Sequence, residues 1–143
     1  MVRAAIAADI RVESVPGPSA VIAALQVSGL PTDAFVFTGF LPPKRESRRR
    51  KLTELHERRE TIVAFETPYR IDRCLEDLVE LWQERPVALA RELTKMHEQV
   101  LRGTAAEVRA ALGAGARRGE IVLVLGGKTR RGEAAADEPE SPA

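Results

Sequence analysis

Residues 61–82, TIVAFETPYRIDRCLEDLVELW, decide the fold class because they join a strand pattern directly to a helix pattern. TIVAFE (61–66) is rich in the β-branched and aromatic residues typical of strands. The apolar residues that follow lie on one stripe of a helix: Ile71, Leu75, Leu78, Val79 and Trp82. Thr67 is predicted to cap this helix, with Pro68 in its first turn. A strand followed at once by an amphipathic helix indicates an α/β fold.

The segments on both sides continue this alternation. Before it, the sequence predicts a helix end at 2–8, a strand at 10–15, a helix at 16–31, a strand at 34–40 and a helix from about 46 to 58. After it, strands are predicted at 87–92, 98–103 and 120–127, with a capping box of Thr104 and Glu107 opening one more helix. The prediction is an α/β fold with a mixed central sheet and flanking helices, in which the direct step from 92 to 98 forms an antiparallel pair.

Three segments bear on the organisation of the chain. The helix at 16–31 is apolar on nearly every side, so we expect it to be buried in the core or at an interface. Residues 128–143 lack periodicity and predict a disordered tail. The chain begins within a helix pattern, without a strand or an N-cap before it. Either that helix frays at a true start, or an upstream domain is missing.

Charge and cysteine content exclude several classes of protein. The 143 residues carry 22 basic and 21 acidic side chains, so attraction to nucleic acid needs local clustering. The single Cys74 cannot form an internal disulfide, and the two histidines give no zinc-ligand spacing. The apolar run near the N-terminus is too short to cross a bilayer. We therefore expect a cytoplasmic protein with no metal and no membrane role.

Basic residues cluster in one place, residues 44–51, where only Glu46 opposes six cations: Lys44, Arg45, Arg48, Arg49, Arg50 and Lys51. Charge runs are usually solvated helix faces. The glutamates of the same predicted helix are segregated after this cluster, which leaves the asymmetry that phosphate contacts need. Both interpretations are open from the cluster alone.

Four polar turns lie at strand ends: PGPSA (16–20), GFLPPK (39–44), ETPYR (66–70) and ARELTK (90–95). In open α/β sheets, ligand sites lie beyond the carboxyl ends of strands, where such turns gather. Ser19 could instead serve only as a helix cap, and Glu66 with Arg70 only as an ion pair. The charges directly after the apolar strand at 87–92 favour a functional role, because they are costly there unless paired or facing a ligand.

Taken in order, GPSAVIAAL, SGLPTDAFVFTGFLPPK, ETPYRI, ARELTKMHE and GEIVLVLGG resemble the C-terminal half of the ribosomal RNA small subunit methyltransferase I family. That family has the tetrapyrrole methylase fold, and the resemblance covers about residues 2–127. It implies S-adenosylmethionine-dependent methylation of the 2′-hydroxyl of a cytidine in 16S rRNA by a homodimer, with the cofactor in a cleft between two lobes. It also implies that residues 1–15 end a linker helix and strand from a missing N-terminal lobe, that 16–127 form the C-terminal lobe, and that 128–143 are a tail.

The resemblance also implies site residues. The cofactor-binding residues would be Gly17, Pro18, Ser19, Ala20, Arg91, Leu93, Thr94, Glu120, Ile121 and Val122. Glu92 and Lys95 are the candidate catalytic residues, with Lys95 as a charge partner for a phosphate. The RNA is expected to contact Lys44, Arg45, Arg48, Arg49, Arg50, Lys51 and Arg70. Replacing Arg48, Arg49 and Arg50 with Ala would then weaken RNA binding and leave the fold intact.

Tyr69 stands where the family more often has His, which puts any role of that imidazole in doubt.

Two alternatives remain beside this function. A methyltransferase of the same fold acting on a tetrapyrrole-type small molecule would have no need of the basic cluster at 44–51. A truncated chain could also be a non-catalytic module that dimerises or binds RNA, because half of the expected cofactor cleft is absent.

Overall fold

A computed structural model describes residues 1–113 and 118–129 and contains a five-stranded sheet flanked by helices. The helices are α1 (Val2–Ala7), α2 (Ala20–Ser28), α3 (Arg45–His56), α4 (Ile71–Trp82) and α5 (Ala105–Leu112). The strands are β1 (Phe35–Phe40), β2 (Thr61–Glu66), β3 (Val87–Arg91), β4 (Gln99–Gly103) and β5 (Ile121–Leu125). Apart from its first two residues, the predicted tail at 128–143 lies outside the described residues.

The strand order is β1-β2-β5-β3-β4, so the last strand of the chain lies in the middle of the sheet. Strands β1 and β2 run parallel, whereas β5 runs antiparallel to both β2 and β3. The predicted antiparallel pair of β3 and β4 is present, with Arg91 opposite Gln99. The mixed sheet is therefore confirmed, and it holds two further antiparallel pairs because β5 enters between two strands that point the other way.

Alternating side chains of the strands feed two apolar layers. On one face, Ile62, Leu89 and Leu123 pack with residues of α3, α4 and α5. On the other face, Val63, Ala88 and Val124 pack against Ala24 and Leu25 of α2. Since adjacent residues of a strand point to opposite faces, a strand buried on both sides must be apolar throughout, as β5 is.

Two local predictions are wrong. Residues 10–15 form no strand, and their apolar side chains are exposed because no neighbouring strand in the described chain pairs with them. Helix α4 begins at Ile71 instead of near Pro68, since the carbonyl of Thr67 accepts hydrogen bonds from the N–H groups of Arg70 and Ile71 in a turn. Helix α2 buries Ala24, Leu25 and Ser28 on one side, whereas Ile22 is 45% exposed, so burial of the remaining side at an interface stays a prediction.

A buried carboxylate joins α3 to α4. Asp77 is fully buried, and Arg48, itself only 2% exposed, donates to its Oδ2 at 2.8 Å. Arg45 and Arg49 each donate to Oδ1 at 3.1 Å. Burial favours the neutral acid, but the hydrogen bonds from the three arginines outweigh it and lower the pKa of Asp77. The carboxylate is therefore ionised and holds the first two turns of α3 against α4.

We expect Asp77→Asn to lower the free energy of unfolding by about 3–5 kcal/mol, because it leaves the buried guanidinium of Arg48 without its counter-charge. Urea unfolding measures this loss. The matched control is Glu80→Gln, which removes a 55% exposed partner of Arg49 and is expected to cost at most about 1 kcal/mol. Equal losses in the two variants would contradict the central role of Asp77.

The same pair of proteins gives a pH test. Because the pKa of Asp77 is lower in the folded chain, its contribution is complete above the ordinary value of 3.8 and is lost as the pH falls through the folded value. The stability difference between wild type and Asp77→Asn should therefore be constant near neutral pH and shrink below about pH 4. A difference that stays constant into strong acid would show that the carboxylate charge is not what stabilises the pair of helices.

Candidate functional site

A groove of about 480 Å³ opens between the first turns of α2 and the end of the sheet where β3 ends and β5 begins. It contains nine of the twelve residues predicted for the cofactor and for catalysis. These nine are Gly17, Pro18, Ser19, Ala20, Leu93, Thr94, Lys95, Glu120 and Val122. Segments that are far apart in the sequence thus meet in one concavity, and we call it the α2 groove.

The start of α2 forms one wall of the α2 groove. Ser19 is extended, and its hydroxyl accepts a hydrogen bond from the N–H of Ile22 at 3.4 Å, so the predicted cap is present. A side chain at Gly17 would meet nothing within 4 Å, so packing within this chain does not require glycine there. Ile22 and Gln26 also line the groove and escaped the sequence analysis. Their spacing of three and seven residues from Ser19, one helix face, was the available signal.

The floor of the α2 groove is apolar and comes from two neighbouring strands. Ala90 of β3 pairs with Val122 of β5, and both line the groove. The side chain of Ile121, predicted to bind cofactor, packs instead in the layer of α3, α4 and α5, because adjacent residues of a strand face opposite sides. Arg91 is partly buried outside the lining and donates to the carbonyl of Arg118 at 3.4 Å.

A tight loop after β3 forms the rim. Glu92 and Thr94 have left-handed backbones, with φ of 50° and 66°, an uncommon state for residues other than glycine. The carboxylate of Glu92 accepts hydrogen bonds from the N–H of Glu120 at 2.9 Å and from Lys95 Nζ at 3.1 Å. Lys95 also reaches Glu120 Oε2 at 3.3 Å. Residues 92–95 are therefore tied to the start of β5 by a charged network.

This network fixes the charge state of both candidate catalytic residues. The hydrogen bond from the N–H of Glu120, followed by that from Lys95, lowers the pKa of Glu92. The hydrogen bond to Glu92, followed by that to Glu120, raises the pKa of Lys95. At neutral pH, Glu92 is a carboxylate and Lys95 an ammonium. A lowered pKa makes Glu92 a weak proton acceptor, and the positive charge of Lys95 is shared with two carboxylates, those of Glu92 and Glu120.

The basic cluster at 44–51 divides into two groups. Arg48 is buried and, with Arg45 and Arg49, binds Asp77, so the expectation that Arg48 can be replaced without harm to the fold is wrong. Lys44 and Arg50 are exposed and have no ion-pair partner within residues 1–113 and 118–129. Lys51 pairs with Glu54 at 3.2 Å on the surface. Most of the local positive charge is thus matched, and two of the six cations face solvent without a partner in the described part of the chain.

Glu66 and Arg70 form the ion pair that was the simpler interpretation of ETPYR. Arg70 Nη2 lies 2.8 Å from Glu66 Oε1, which also accepts from the N–H of Thr67 at 2.7 Å. Arg70 keeps a quarter of its side chain exposed, so this ion pair does not exclude an RNA contact. Among the described residues, no group of three His, Cys, Asp or Glu side chains could hold a metal ion. No helix in that part of the chain is long and apolar enough to span a membrane.

Comparison with known proteins identifies the family of the chain that forms this groove. Residues 1–109 match the family described as Tetrapyrrole (Corrin/Porphyrin) Methylases. The chain belongs to the tetrapyrrole methylase family. A relative from Mycobacterium tuberculosis (strain CDC 1551 / Oshkosh), named "Ribosomal RNA small subunit methyltransferase I", is 48% identical over 93% of this chain and 47% of its own length. A relative of the same name from Xylella fastidiosa (strain Temecula1) is 48% identical over 89% of this chain and 48% of its own.

These relatives confirm the resemblance stated from the motifs, and the chain spans about half of their length. Solved structures agree on the fold. A cobalt precorrin-4 methyltransferase superposes with a TM-score of 0.58 at 19% identity, covering 87% of this chain and 56% of that one. A uroporphyrin-III C-methyltransferase from Thermus thermophilus gives 0.56 at 25% identity, covering 87% and 55%. Another structure of such an enzyme from the same species, complexed with S-adenosyl homocysteine, gives 0.50 at 18% identity, covering 87% and 57%.

We expect Gly119→Ala to destabilise the rim loop. Gly119 has φ of 96°, and an added Cβ would collide with the side chain of Glu92, which must then leave its hydrogen bonds. The strain alone is worth about 1–3 kcal/mol, and urea unfolding measures it. Gly17→Ala is the control, because its Cβ meets open space and its stability should not change. Equal stability of the two variants would contradict the tight fit of Glu92.

Proposed function

We propose that this chain is the C-terminal part of an S-adenosylmethionine-dependent methyltransferase that modifies the 2′-hydroxyl of a cytidine ribose in 16S rRNA. The relatives at 48% identity, named as small subunit rRNA methyltransferases, support this reaction over methylation of a tetrapyrrole. The α2 groove carries the proposal, since it brings most of the predicted cofactor residues together at one end of the sheet. Because the chain spans half of those relatives, a second lobe would complete the site.

The α2 groove fits part of an S-adenosylmethionine molecule. Its volume of about 480 Å³ is within the usual range of ligand sites, about 300–1,000 Å³. The floor of Ala90 and Val122 offers an apolar surface to an adenine ring. Lys95 uses two of its three N–H donors on Glu92 and Glu120, and the third can donate to a carboxylate of the ligand. Open space above Gly17 would let a ligand approach the backbone closely. A bound S-adenosyl homocysteine in a structure of the same fold agrees with this choice of cofactor.

When bound, S-adenosylmethionine supplies an electrophilic methyl group, so the protein's task is alignment and exclusion of water. We assign Glu92 to positioning: its carboxylate holds the N–H of Glu120 and the ammonium of Lys95. Lys95 would bind the carboxylate of the cofactor or a phosphate of the RNA. Since Glu92 has a lowered pKa and Lys95 is protonated, neither is proposed as the general base.

The wider organisation follows from the same proposal. Residues 1–15 would connect to an N-terminal lobe, and 16–127 would form the C-terminal lobe. A homodimer is supported by three phenylalanines exposed on the edge strand β1, Phe35, Phe37 and Phe40, because exposed apolar patches commonly mark association surfaces. The substrate, 16S rRNA or the small ribosomal subunit, would place the enzyme in the cytoplasm.

Isothermal titration with S-adenosylmethionine tests the cofactor site, using this chain beside a version extended upstream to include the N-terminal lobe. We expect only the extended protein to bind tightly. In that protein, Lys95→Gln should weaken binding about tenfold, because it removes a charge-assisted hydrogen bond. Lys128→Gln is the control, since Lys128 lies beyond the opposite end of β5.

Tight binding by the short chain alone would refute the placement of the cofactor between two lobes. Equal effects of Lys95→Gln and Lys128→Gln would remove Lys95 from the site. Absence of binding by the extended protein would refute the proposed cofactor itself.

The exposed cations of the cluster provide the test for RNA. We expect replacement of Lys44 and Arg50 with Ala to weaken binding of single-stranded 16S rRNA fragments. The slope of log K against log salt should fall by about 1.4, because each lost phosphate contact removes about 0.7. Fluorescence anisotropy across a salt series measures the slope. Because both side chains are exposed and unpaired in the described chain, stability should not change.

The control for this experiment is Arg59→Ala, since Arg59 is exposed at the opposite end of the sheet. It should leave the slope unchanged. A slope that is the same in the wild type and in the doubly substituted protein would remove Lys44 and Arg50 from the RNA path.

A further inference from the structure

A cationic hollow of about 300 Å³ lies between the start of α3 and the turn that joins β2 to α4, at 67–70. Its walls include four arginines, one glutamate and one tyrosine: Arg45, Arg48, Arg70, Arg73, Glu76 and Tyr69. Arg70 was predicted from the sequence to contact RNA, and Tyr69 stands where the family more often has His. Arg73 was not considered at all.

The charges of the hollow are not all neutralised. Glu76 is bound by Arg109 at 2.6 Å, and Arg45 and Arg48 are bound by Asp77. Arg73 is exposed and has no ion-pair partner in residues 1–113 and 118–129. Arg70 uses its Nε on Thr67 and its Nη2 on Glu66, which leaves Nη1 as a donor beside the hollow. Arg70 and Arg73, which both line the hollow, can therefore donate to a phosphate.

A hydrogen-bonded turn presents Tyr69 at the mouth of the hollow. The carbonyl of Thr67 accepts from the N–H of Arg70 at 3.0 Å, and the N–H of Thr67 donates to buried Glu66 at 2.7 Å. The Tyr69 side chain nevertheless remains 87% exposed. An exposed aromatic ring beside the guanidinium groups of Arg70 and Arg73 is the arrangement on which unpaired nucleic-acid bases stack.

The hollow and the α2 groove lie at the same end of the sheet, where β2 and β3 end and β5 begins. Glu66, which precedes the turn, pairs with Ile121, and Ile121 pairs with Arg91, which precedes the rim loop. Two strand spacings, roughly 10 Å, therefore separate the two turns. At that end, the groove opens on the face covered by α2, and the hollow opens on the face covered by α3 and α4. A single strand of RNA that crosses this end of the sheet could therefore contact both.

We propose that the hollow holds one unpaired nucleotide of the RNA substrate, with its base stacked on Tyr69 and its phosphate bound by Arg70 and Arg73. This site rests on the proposed function, and it adds a contact that fixes the strand close to the methylated position. It selects single-stranded RNA, because a base within a duplex cannot stack on a side chain.

The test measures binding of a labelled single-stranded RNA to the 143-residue chain by fluorescence anisotropy, with the same RNA in a duplex and with heparin as competing probes. Tyr69→Ala should weaken single-strand binding by roughly 5-fold to 100-fold, the range of base–aromatic stacking. Tyr69→Phe should bind like wild type, because the ring is kept. Arg73→Gln should reduce the salt slope by about 0.7, whereas Arg59→Gln should not.

Heparin affinity should be unchanged in Tyr69→Ala, since stacking contributes nothing to a sugar polyanion. Equal binding of single-stranded RNA by wild type and Tyr69→Ala would overturn the nucleotide site while leaving the proposed function standing. Parallel loss of RNA and heparin in Tyr69→Ala would also overturn it. If the wild-type chain binds no RNA, the nucleotide site falls, and the cofactor titration then decides separately whether the methyltransferase assignment survives.

Discussion

Strand β5 is the element on which the other layers depend. All five of its residues are buried, and it pairs with β2 on one side and β3 on the other. Its side chains alternate between the layer of α3, α4 and α5 and the layer of α2, so both cores meet on it. Because β5 is the last described element, the chain must bring residues 121–125 back between strands formed much earlier. Non-local pairing of this kind is costly to close and contributes stability only when complete.

The direction of β5 also creates the site. Since β5 runs antiparallel to its two neighbours, its first residue lies at the end of the sheet where β2 and β3 finish. The N–H of Glu120 therefore reaches the carboxylate of Glu92, and Lys95 joins them. A parallel β5 would begin at the opposite end of the sheet. The α2 groove and the cationic hollow both use this meeting of strand ends, one on each face of the sheet.

The arginines of α3 divide between structure and surface according to one carboxylate. Asp77 binds Arg45, Arg48 and Arg49, because a buried charge on α4 requires counter-charges from the helix packed against it. The exposed cations beside them, Lys44 and Arg50, are left to act on whatever approaches the surface. A single basic run thus joins two helices and still presents positive charge next to the candidate nucleotide site.

The sequence by itself determined the elements with a strong local signal: the amphipathic α4, the capping box at Thr104, the apolar strands and the mixed character of the sheet. The ordered motifs also identified the family. Local patterns failed wherever the outcome depended on a distant partner. Residues 10–15 alternate like a strand but have none to pair with in the described chain, and Arg48 looks like its exposed neighbours until Asp77 is placed beside it. Only the tertiary structure decided these, because burial, pairing and counter-charge come from contacts between residues far apart in the sequence.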